Sequence, residues 1–510
     1  MRALISVWDK NGVADFAHGL AALGFELVSS SGTADFLAEA GLEVTRVEEV
    51  TAAPEMLGGR VKTLHPRIHA GILARRDLPE DMDTLAEHDI EPFDLVCVNL
   101  YPFTSVAARL GVEESEAVEM IDVGGPAMLR AAAKNFASVA AVSRPEQYEP
   151  VLEELRARGE LSLELRRSLA NDAFATTAAY DAAIARWFGE TEAFPEQLTI
   201  SFQKVAGLPY GENPHQHAAY YRELGARRHL LSSVDQLGGR DLSYNNLADL
   251  DAASRISRQF TPPTAVLVKH ANPCGVATAE TIEEAYERAL AADPVSAFGC
   301  VLVLNRSVSG ELGRRIAEHF VEVLLAPEYE SDALAALREK PALRILSDRE
   351  RRSETPRELD YTRVLGGLLV QERDSDIGQT EPMSVVTGSV TDDQMRDLIF
   401  ASHVCRHVTS NAIVLAKDRQ TIGIGAGQMS RVDAVRIAIE KAREVGHDVA
   451  GAALASDAFF PFADGPQLAL DAGVTSIIQP GGSKRDDEVV AAVTAAGAAM
   501  VFTGRRHFRH

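Results

Sequence analysis

Short apolar runs alternate along this chain with stretches in which hydrophobic residues recur every three or four positions. In the first 190 residues, ALISV (3–7), FELVS (25–29), DLVCVNL (94–100) and SVAAVS (138–143) are nearly unbroken apolar runs. Such runs read as strands covered on both faces, the mark of a parallel sheet between helices. From residue 161 to 187, Leu161, Leu165, Leu169, Ala173, Thr177, Tyr180, Ile184 and Trp187 share one helical face, and Gly189 and Pro195 end the pattern. A boundary is expected near 190–200, with residues 1–190 forming an α/β domain.

Residues 201–250 lose this periodicity and are rich in Gly, Asn, Pro and His (GLPYGENPHQ, LGGRDLSYNN), which reads as an ordered arm. Alternation resumes from about 262 through TAVLV, CVLVL, VEVLL, VLGGLLV, NAIVLA, TIGIGA, AGAALAS, VTSIIQ and AAMVF. Charge and Ser, Asp and Arg dominate 345–390. Residues 191–510 therefore divide into lobes of roughly 200–360 and 361–510. No internal repeat is evident in the letters.

Composition narrows the function. The 510 residues exceed one ordinary domain. The longest apolar runs are too short to span a bilayer, and Ala3–Val7 reads as a strand rather than as part of a signal peptide, so a cytoplasmic protein is expected. Four cysteines (97, 274, 300, 405) form no CxxC pair, which points to reduced thiols and away from a cysteine zinc site. A net charge of −23 repels nucleic acid, yet small anions can bind where cations and backbone N–H groups concentrate. Lysine is scarce, 9 of the 51 basic residues, and four of the nine stand in loop-like motifs: Lys10, Lys62, Lys134 and Lys269. A lysine kept where arginine is the default cation suits a role that needs a compact, tunable charge.

The motifs point to small phosphorylated ligands. SSSGTADF (29–36) follows a strand and opens a helix, so Ser31, Gly32 and Thr33 offer donors and a favourable dipole to phosphate, or simply cap the helix. WDKNG (8–12) adds Lys10. GGRVKTLHPRIH (58–69) brings Arg60, Lys62, Thr63 and His65 together as an anion clamp. His65 and His69 have the spacing of a zinc pair, but Pro66 is expected to disfavour a helix there. NLYPF (99–103) places Asn99 and Tyr101 at a strand's carboxyl edge, where ligands of α/β folds bind. IDVGGPAMLRAAAKN (121–135) reads as a loop acid, Asp122, then Gly124 and Gly125, a proline that starts a helix, and Lys134 at its end. About 12 Å of helix would separate Asp122 from Lys134. In VKHANPCGVA (268–277), Lys269 and His270 can face one substrate only from a loop. Cys274 lacks the second cysteine of zinc deaminases. GIGAG (423–427) is not a dinucleotide loop; its glycines suit close approach to a flat ligand, with Arg431 nearby.

Together these segments resemble the bifunctional purine biosynthesis family, which joins an aminoimidazole carboxamide ribonucleotide (AICAR) transformylase to an inosine monophosphate (IMP) cyclohydrolase. SSSGT, GGRVKTLHP, NLYPF and IDVGGPAMLRAAAKN resemble the cyclohydrolase half. YGENPHQ, LSYNN, VKHANPCG, DPVSAFG, SNAIVLAKD, IGIGAGQMSR, SDAFFPF and RRHFRH resemble the transformylase half. The resemblance implies a methylglyoxal-synthase-like parallel-sheet domain (1–190) and a transformylase region (191–510) of two cytidine-deaminase-like lobes without zinc. It implies a homodimer with shared transformylase sites, and 10-formyltetrahydrofolate as co-substrate. It implies no catalytic metal, and it leaves room for a structural monovalent cation.

Carried over by motif, the cyclohydrolase site would use Lys62, Tyr101, Asp122 and Lys134. Its substrate would be held by Lys10, Ser31, Gly32, Thr33, Arg60, Thr63, Gly124 and Gly125. The transformylase would use Lys269, His270 and Asn411, with Tyr210, Arg240, Phe298, Glu322, Arg431, Asp457, Phe459 and Arg506 around the substrates. The reaction implied is formyl transfer to AICAR, then dehydrative ring closure of formyl-AICAR to IMP. A rival reading keeps the transformylase and makes 1–190 a non-catalytic nucleotide-binding regulator. Three positions depart from the family pattern: Pro209 where Arg is usual, a lost phosphate contact that Arg240 could replace; Trp8 where a small polar residue is usual; and Cys300 where glycine is usual.

Overall fold

The computed structural model describes residues 1–54, 56–109, 111–189, 193–224, 231, 234–349, 358–374 and 383–510, apart from the side chain of Ser31. It forms two compact units, one built mainly from Met1–Gln203 and the other from most of the remaining chain.

The first unit contains β1 (Arg2–Val7), α1 (Val13–Ala22), β2 (Glu26–Ser29), α2 (Ser31–Glu39), β3 (Thr45–Arg46), α3 (Val47–Thr51), α4 (Pro66–Leu73) and α5 (Pro79–Glu87). It continues with β4 (Leu95–Asn99), α6 (Phe103–Ala107), α7 (Glu114–Glu119), α8 (Gly124–Lys134), β5 (Ala140–Val142), α9 (Tyr148–Arg158) and α10 (Leu163–Phe188). The strands form a parallel sheet of order β3-β2-β1-β4-β5. One core lies on each face, around Phe16, Leu20 and Val151 on one side and Ile68, Phe93 and Leu129 on the other. The four long apolar runs are strands because each must be covered on both sides. On α10, Leu169, Ala173 and Thr177 of the expected face are buried, and Gly189 is the C-cap. The strand order reverses at β1, so the carboxyl ends of β1 and β4 flank the crevice where α/β sheets bind ligands. Pro66 does not prevent a helix after His65. It is the first residue of α4, where its missing N–H costs nothing, and His65 is the N-cap.

The second unit begins with β6 (Phe202–Leu208), β7 (Ala218–Glu223), β8 (Asp235–Gly238), α11 (Tyr244–Arg258), β9 (Thr264–Lys269), β10 (Asn272–Thr278), α12 (Ile282–Ala292), β11 (Cys300–Leu304), α13 (Gly310–Glu318), β12 (Val321–Ala326), α14 (Ser331–Arg338) and β13 (Arg344–Ser347). After the hairpin β14 (Leu359–Val364) and β15 (Gly367–Glu372) come β16 (Ser384–Thr387), α15 (Asp392–Cys405), β17 (Ile413–Lys417), β18 (Gln420–Gly425), α16 (Arg431–Val445), β19 (Ala453–Ser456), α17 (Asp464–Asp471), β20 (Ser476–Gln479), α18 (Asp486–Ala495) and β21 (Ala499–Phe502). VLGGLLV is therefore not one buried strand. Gly366, at φ 75°, turns it into a hairpin whose Leu365, Leu368 and Leu369 are exposed.

A twelve-stranded sheet runs β16-β21-β20-β19-β17-β18-β10-β9-β11-β12-β13-β8. Read outward from the central β18/β10 pair, its two halves match. Each has an antiparallel hairpin (β9–β10, β17–β18), then an antiparallel neighbour, parallel strands and an antiparallel edge strand. The agreement reaches single atoms. Lys269 Nζ donates to Phe298 O at 2.8 Å, and Lys417, at the same place in its hairpin, donates to Ala450 O at 2.8 Å. The sheet is a structural duplication that the letters do not display.

Candidate active sites

The first site lies where β1, β2 and β4 end. Asn99, the last residue of β4, accepts the N–H groups of Trp8 (2.6 Å) and Asp9 (2.9 Å) and donates to Asp9 O (2.9 Å), so it shapes the loop that carries Lys10. Lys10 Nζ donates to Val7 O and to Thr33 Oγ1 (3.0 Å). Both acceptors are neutral, so the cation's charge is left for a ligand; burial lowers its pKa, against Asp9. Thr33 does not cap α2. Its hydroxyl is tied to both Val7 N (3.2 Å) and Val7 O (3.0 Å), and the N-cap is Ser30. Gly32 is exposed in the first turn of α2, whose leading N–H groups have no intrahelical acceptor. The side chain of Ser31 lies outside the described residues.

Asp122 stands at the head of α8. Its Oδ1 accepts Gly125 N (2.9 Å), while its own N–H donates to Tyr180 Oη (2.8 Å), and that hydroxyl donates to Met120 O (2.8 Å). Burial raises the Asp122 pKa against the pull of the Gly125, Tyr101 and Gly124 N–H groups. The Tyr101 phenol is pushed up as well, by burial and then by the Asp122 charge. The Tyr101 ring packs against Trp8 at 4.9 Å, so the departure at residue 8 borders the site. A side chain at Gly124 would overlap Thr63 Oγ1, and one at Gly125 would overlap the Asp122 carboxylate. Both glycines exist for close approach. Lys62 and Thr63 occupy a short 3-10 turn packed against α8, with Lys62 half-buried and Thr63 buried. Arg60 is exposed and ion-paired with Glu119.

Lys134 closes the helix that follows Asp122: α8 runs unbroken from Gly124 to Lys134, and Lys134 lines a cavity of about 770 Å³ with His69, Arg130, Phe136, Arg167 and Phe174. Tyr180, which pins the Asp122 loop, read in the sequence only as part of a helix face. No cluster that could hold a metal occurs among the described residues. His65 Nδ1 instead accepts Arg67 N (3.2 Å), and burial lowers the His69 pKa.

The second site centres on the β9–β10 hairpin. VKHANPCG is strand, turn and strand: Lys269 ends β9, and His270 (φ 52°) and Ala271 (φ 58°) make the turn. The turn begins at His270, so His270 leaves the extended backbone directly after Lys269. Across the sheet's centre, Asn411 donates to Gln428 O (2.7 Å) and accepts Arg431 Nη1 (2.6 Å). Arg431 Nη2 reaches Asp457 Oδ1 at 2.9 Å, and Ser410 donates to the other oxygen of Asp457. Arg431 and Asp457 side chains are 6% and 0% exposed, so a buried ion pair fixes Asn411. Asn272 Oδ1 accepts Thr409 N (2.9 Å), and Arg509 Nη1 donates to Ala271 O (2.9 Å), which ties the chain's end to the turn.

The remaining candidates are more dispersed. Phe298 is 65% exposed and supplies the carbonyl that holds Lys269. Glu322 accepts Asn246 Nδ2 at 2.8 Å, and Arg506 stacks over Phe508 at 4.7 Å. Phe459 is half-buried, Tyr210 and Arg240 are exposed, and Cys300 is buried. Among the described residues no hydrogen bond or ion pair joins Tyr210, Arg240, Glu322 or Arg506 to Lys269, His270 or Asn411. Asp249, which accepts the His270 and Ala271 N–H groups, and Arg509, which holds Ala271 O, carried no signal in the letters, because each works through backbone groups that only the fold positions.

Residues 132–441 match the family model described as AICARFT/IMPCHase bienzyme, and residues 12–127 match an MGS-like domain. The chain is similar over its full length to proteins called "Bifunctional purine biosynthesis protein PurH". It is 50% identical to the one from Rhodopirellula baltica (98% of that protein covered), 49% to that of Magnetococcus marinus (99%) and 50% to that of Lacticaseibacillus casei (100%).

Proposed function

The chain belongs to the AICARFT/IMPCHase bienzyme family, and from that membership we propose how its two sites divide the work. The protein catalyses the last two steps of IMP biosynthesis, formyl transfer to AICAR and closure of formyl-AICAR to IMP. Folate is the co-substrate, taken here as 10-formyltetrahydrofolate.

In formyl transfer, the AICAR amine attacks the formyl carbon. His270 takes the amine proton as the bond to the folate nitrogen breaks, and Lys269 stabilises the tetrahedral oxyanion and supplies a proton to the leaving nitrogen. Asn411, fixed by Arg431, is a further donor. Phe298, Phe459, Tyr210, Glu322, Arg240 and Arg506 border the substrates, with Arg240 taking the phosphate contact that Pro209 cannot make. In ring closure, the carboxamide nitrogen attacks the formyl carbon and water leaves. Asp122 is the base, Tyr101 and Lys62 handle the proton and the developing oxyanion, and Lys10, the α2 N-terminus and Thr63 hold the phosphate. Arg60 joins them by exchanging Glu119 for the phosphate. Lys134, at the far end of α8, assists from the cavity it lines.

We read the protein as a cytoplasmic homodimer. Free cysteines, three of them buried, suit a reducing compartment. The observation that carries the two-site reading is the Asp122 carboxylate held by Gly125 N at the head of α8, in a unit separate from the Lys269–His270 turn. In full-length protein, His270→Ala is expected to abolish formyl transfer and leave ring closure of supplied formyl-AICAR intact, and Asp122→Asn to do the reverse. Loss of both activities in either variant, or of neither, contradicts the division.

A further inference from the structure

The duplicated hairpins differ at their turns, and the difference isolates a residue that the reaction has not yet been given. In β9–β10 the turn is His270–Ala271, and in β17–β18 it is Asp418–Arg419. All four residues are left-handed, at φ 52°, 58°, 53° and 59°, a conformation that non-glycine residues seldom adopt unsupported. Each turn is held by one carboxylate from the helix preceding its hairpin. Asp249 of α11 accepts Ala271 N at 2.6 Å and His270 N at 3.3 Å. Asp397 of α15 accepts Arg419 N at 2.7 Å and Asp418 N at 2.8 Å. The clasp is therefore part of the shared architecture, and only one of its two copies carries an imidazole.

The carbonyl side differs. Arg419 O is held by Thr278 N (3.0 Å), backbone on backbone, while Ala271 O is held by the Arg509 side chain. The His270–Ala271 turn is thus held by side chains on both its N–H and its carbonyl side, Asp249 and Arg509. Resting on the assignment of His270 to formyl transfer, we propose that Asp249 is the positioning residue of the transformylase site. By binding both turn N–H groups it fixes the backbone from which the His270 ring departs, and so the place where the substrate proton is received. Asp397 performs the same backbone task where no chemistry depends on it, and the repeat supplies its own control.

Four full-length variants test this: Asp249→Asn, Asp397→Asn, Asp249→Asn with Ala271→Gly, and His270→Ala. An Asn at 249 keeps one acceptor and turns an NH₂ toward the second N–H. Formyl-transfer kcat should fall about 100-fold, the scale of an ångström-sized misplacement of a reacting group, with KM for AICAR and ring closure unchanged. Asp397→Asn should lower Tm as much as Asp249→Asn does and leave kcat alone. Glycine at 271 adopts the left-handed backbone unaided, so the double variant should recover part of the lost kcat, which a purely structural role would not predict. Should Asp249→Asn not fold, Asp249→Ser, with its single acceptor, carries the same comparison. Wild-type kcat in Asp249→Asn, an equal loss in Asp397→Asn, or no recovery in the double variant would overturn the proposal. Retained transfer in His270→Ala would instead overturn the assignment on which it rests.

Discussion

Gly125→Ala is a one-carbon perturbation of the ring-closure site. The new methyl would overlap Asp122 Oδ2 and lie 3.0 Å from both Asp122 Cγ and Leu100 Cδ2. Non-bonded carbon contacts settle near 3.5–4.0 Å, so the carboxylate must retreat by about 0.5–1 Å. Leu100 blocks retreat on one side, and the Asp122 backbone is fixed by Tyr180. The 2.9 Å bond from Gly125 N to Oδ1 is then stretched or lost; a hydrogen bond to a charged group is worth about 1.5–3 kcal/mol. Misplacing a reacting group by about 1 Å costs on the order of 100-fold in rate. Burial already holds the Asp122 pKa above the ordinary carboxylate range, and the N–H groups pull it down. Removing one of them lets it rise, so less Asp122 is ionised at a given pH and the acid limb of ring closure moves to higher pH. The assay is conversion of formyl-AICAR to IMP across pH 4–8 (~ the range of carboxylate and histidine titration), with formyl transfer as the internal control. A variant that closes the ring at the wild-type rate with an unmoved acid limb would refute Asp122 as the base.

Two further outcomes follow from buried charge. Arg431→Met leaves the fully buried Asp457 carboxylate without its cation, so urea unfolding of the second unit should lose about 3–5 kcal/mol and formyl transfer should weaken as Asn411 loses its anchor; an unchanged midpoint would count against the buried pair. His407 is buried, its Nε2 has no partner among the described residues, and burial followed by Arg406, Arg509 and Arg255 holds its pKa well below the usual value. The folded protein therefore refuses a proton that the unfolded chain accepts below about pH 6.5, and stability should fall as pH drops from there, by up to about 1.4 kcal/mol per pH unit until the folded pKa is reached. Thermal melts of wild type and His407→Asn between pH 5 and 8 check this, and parallel Tm profiles would remove His407 as the cause.

What the letters disclosed, and what they concealed, follows one rule. The parallel strands of the first unit were legible because each is buried on both faces, which forces unbroken apolar runs; the short edge strand Thr45–Arg46 has no such constraint and left no trace. The glycines of the Asp122 motif were legible because Gly124 and Gly125 stand where the Thr63 hydroxyl and the Asp122 carboxylate approach the backbone closely. Asp122 and Lys134 flank the two ends of one continuous helix, the separation that the spacing already implied. The duplication was concealed because its conserved content is hydrogen bonding to backbone. Asp249 and Asp397 bind N–H groups that any residue supplies, so the turns diverged to His-Ala and Asp-Arg while the geometry held. Lys269 and Lys417 make equivalent bonds to Phe298 O and Ala450 O. The fold thus uses scarce lysine twice in the same way, and that contact alone does not distinguish Lys269 from Lys417. The distinction between the two hairpins lies in the imidazole beside Lys269 and in the Asn411–Arg431–Asp457 chain that faces it. The role proposed for Lys269 therefore rests on those surroundings and not on the contact it shares with Lys417.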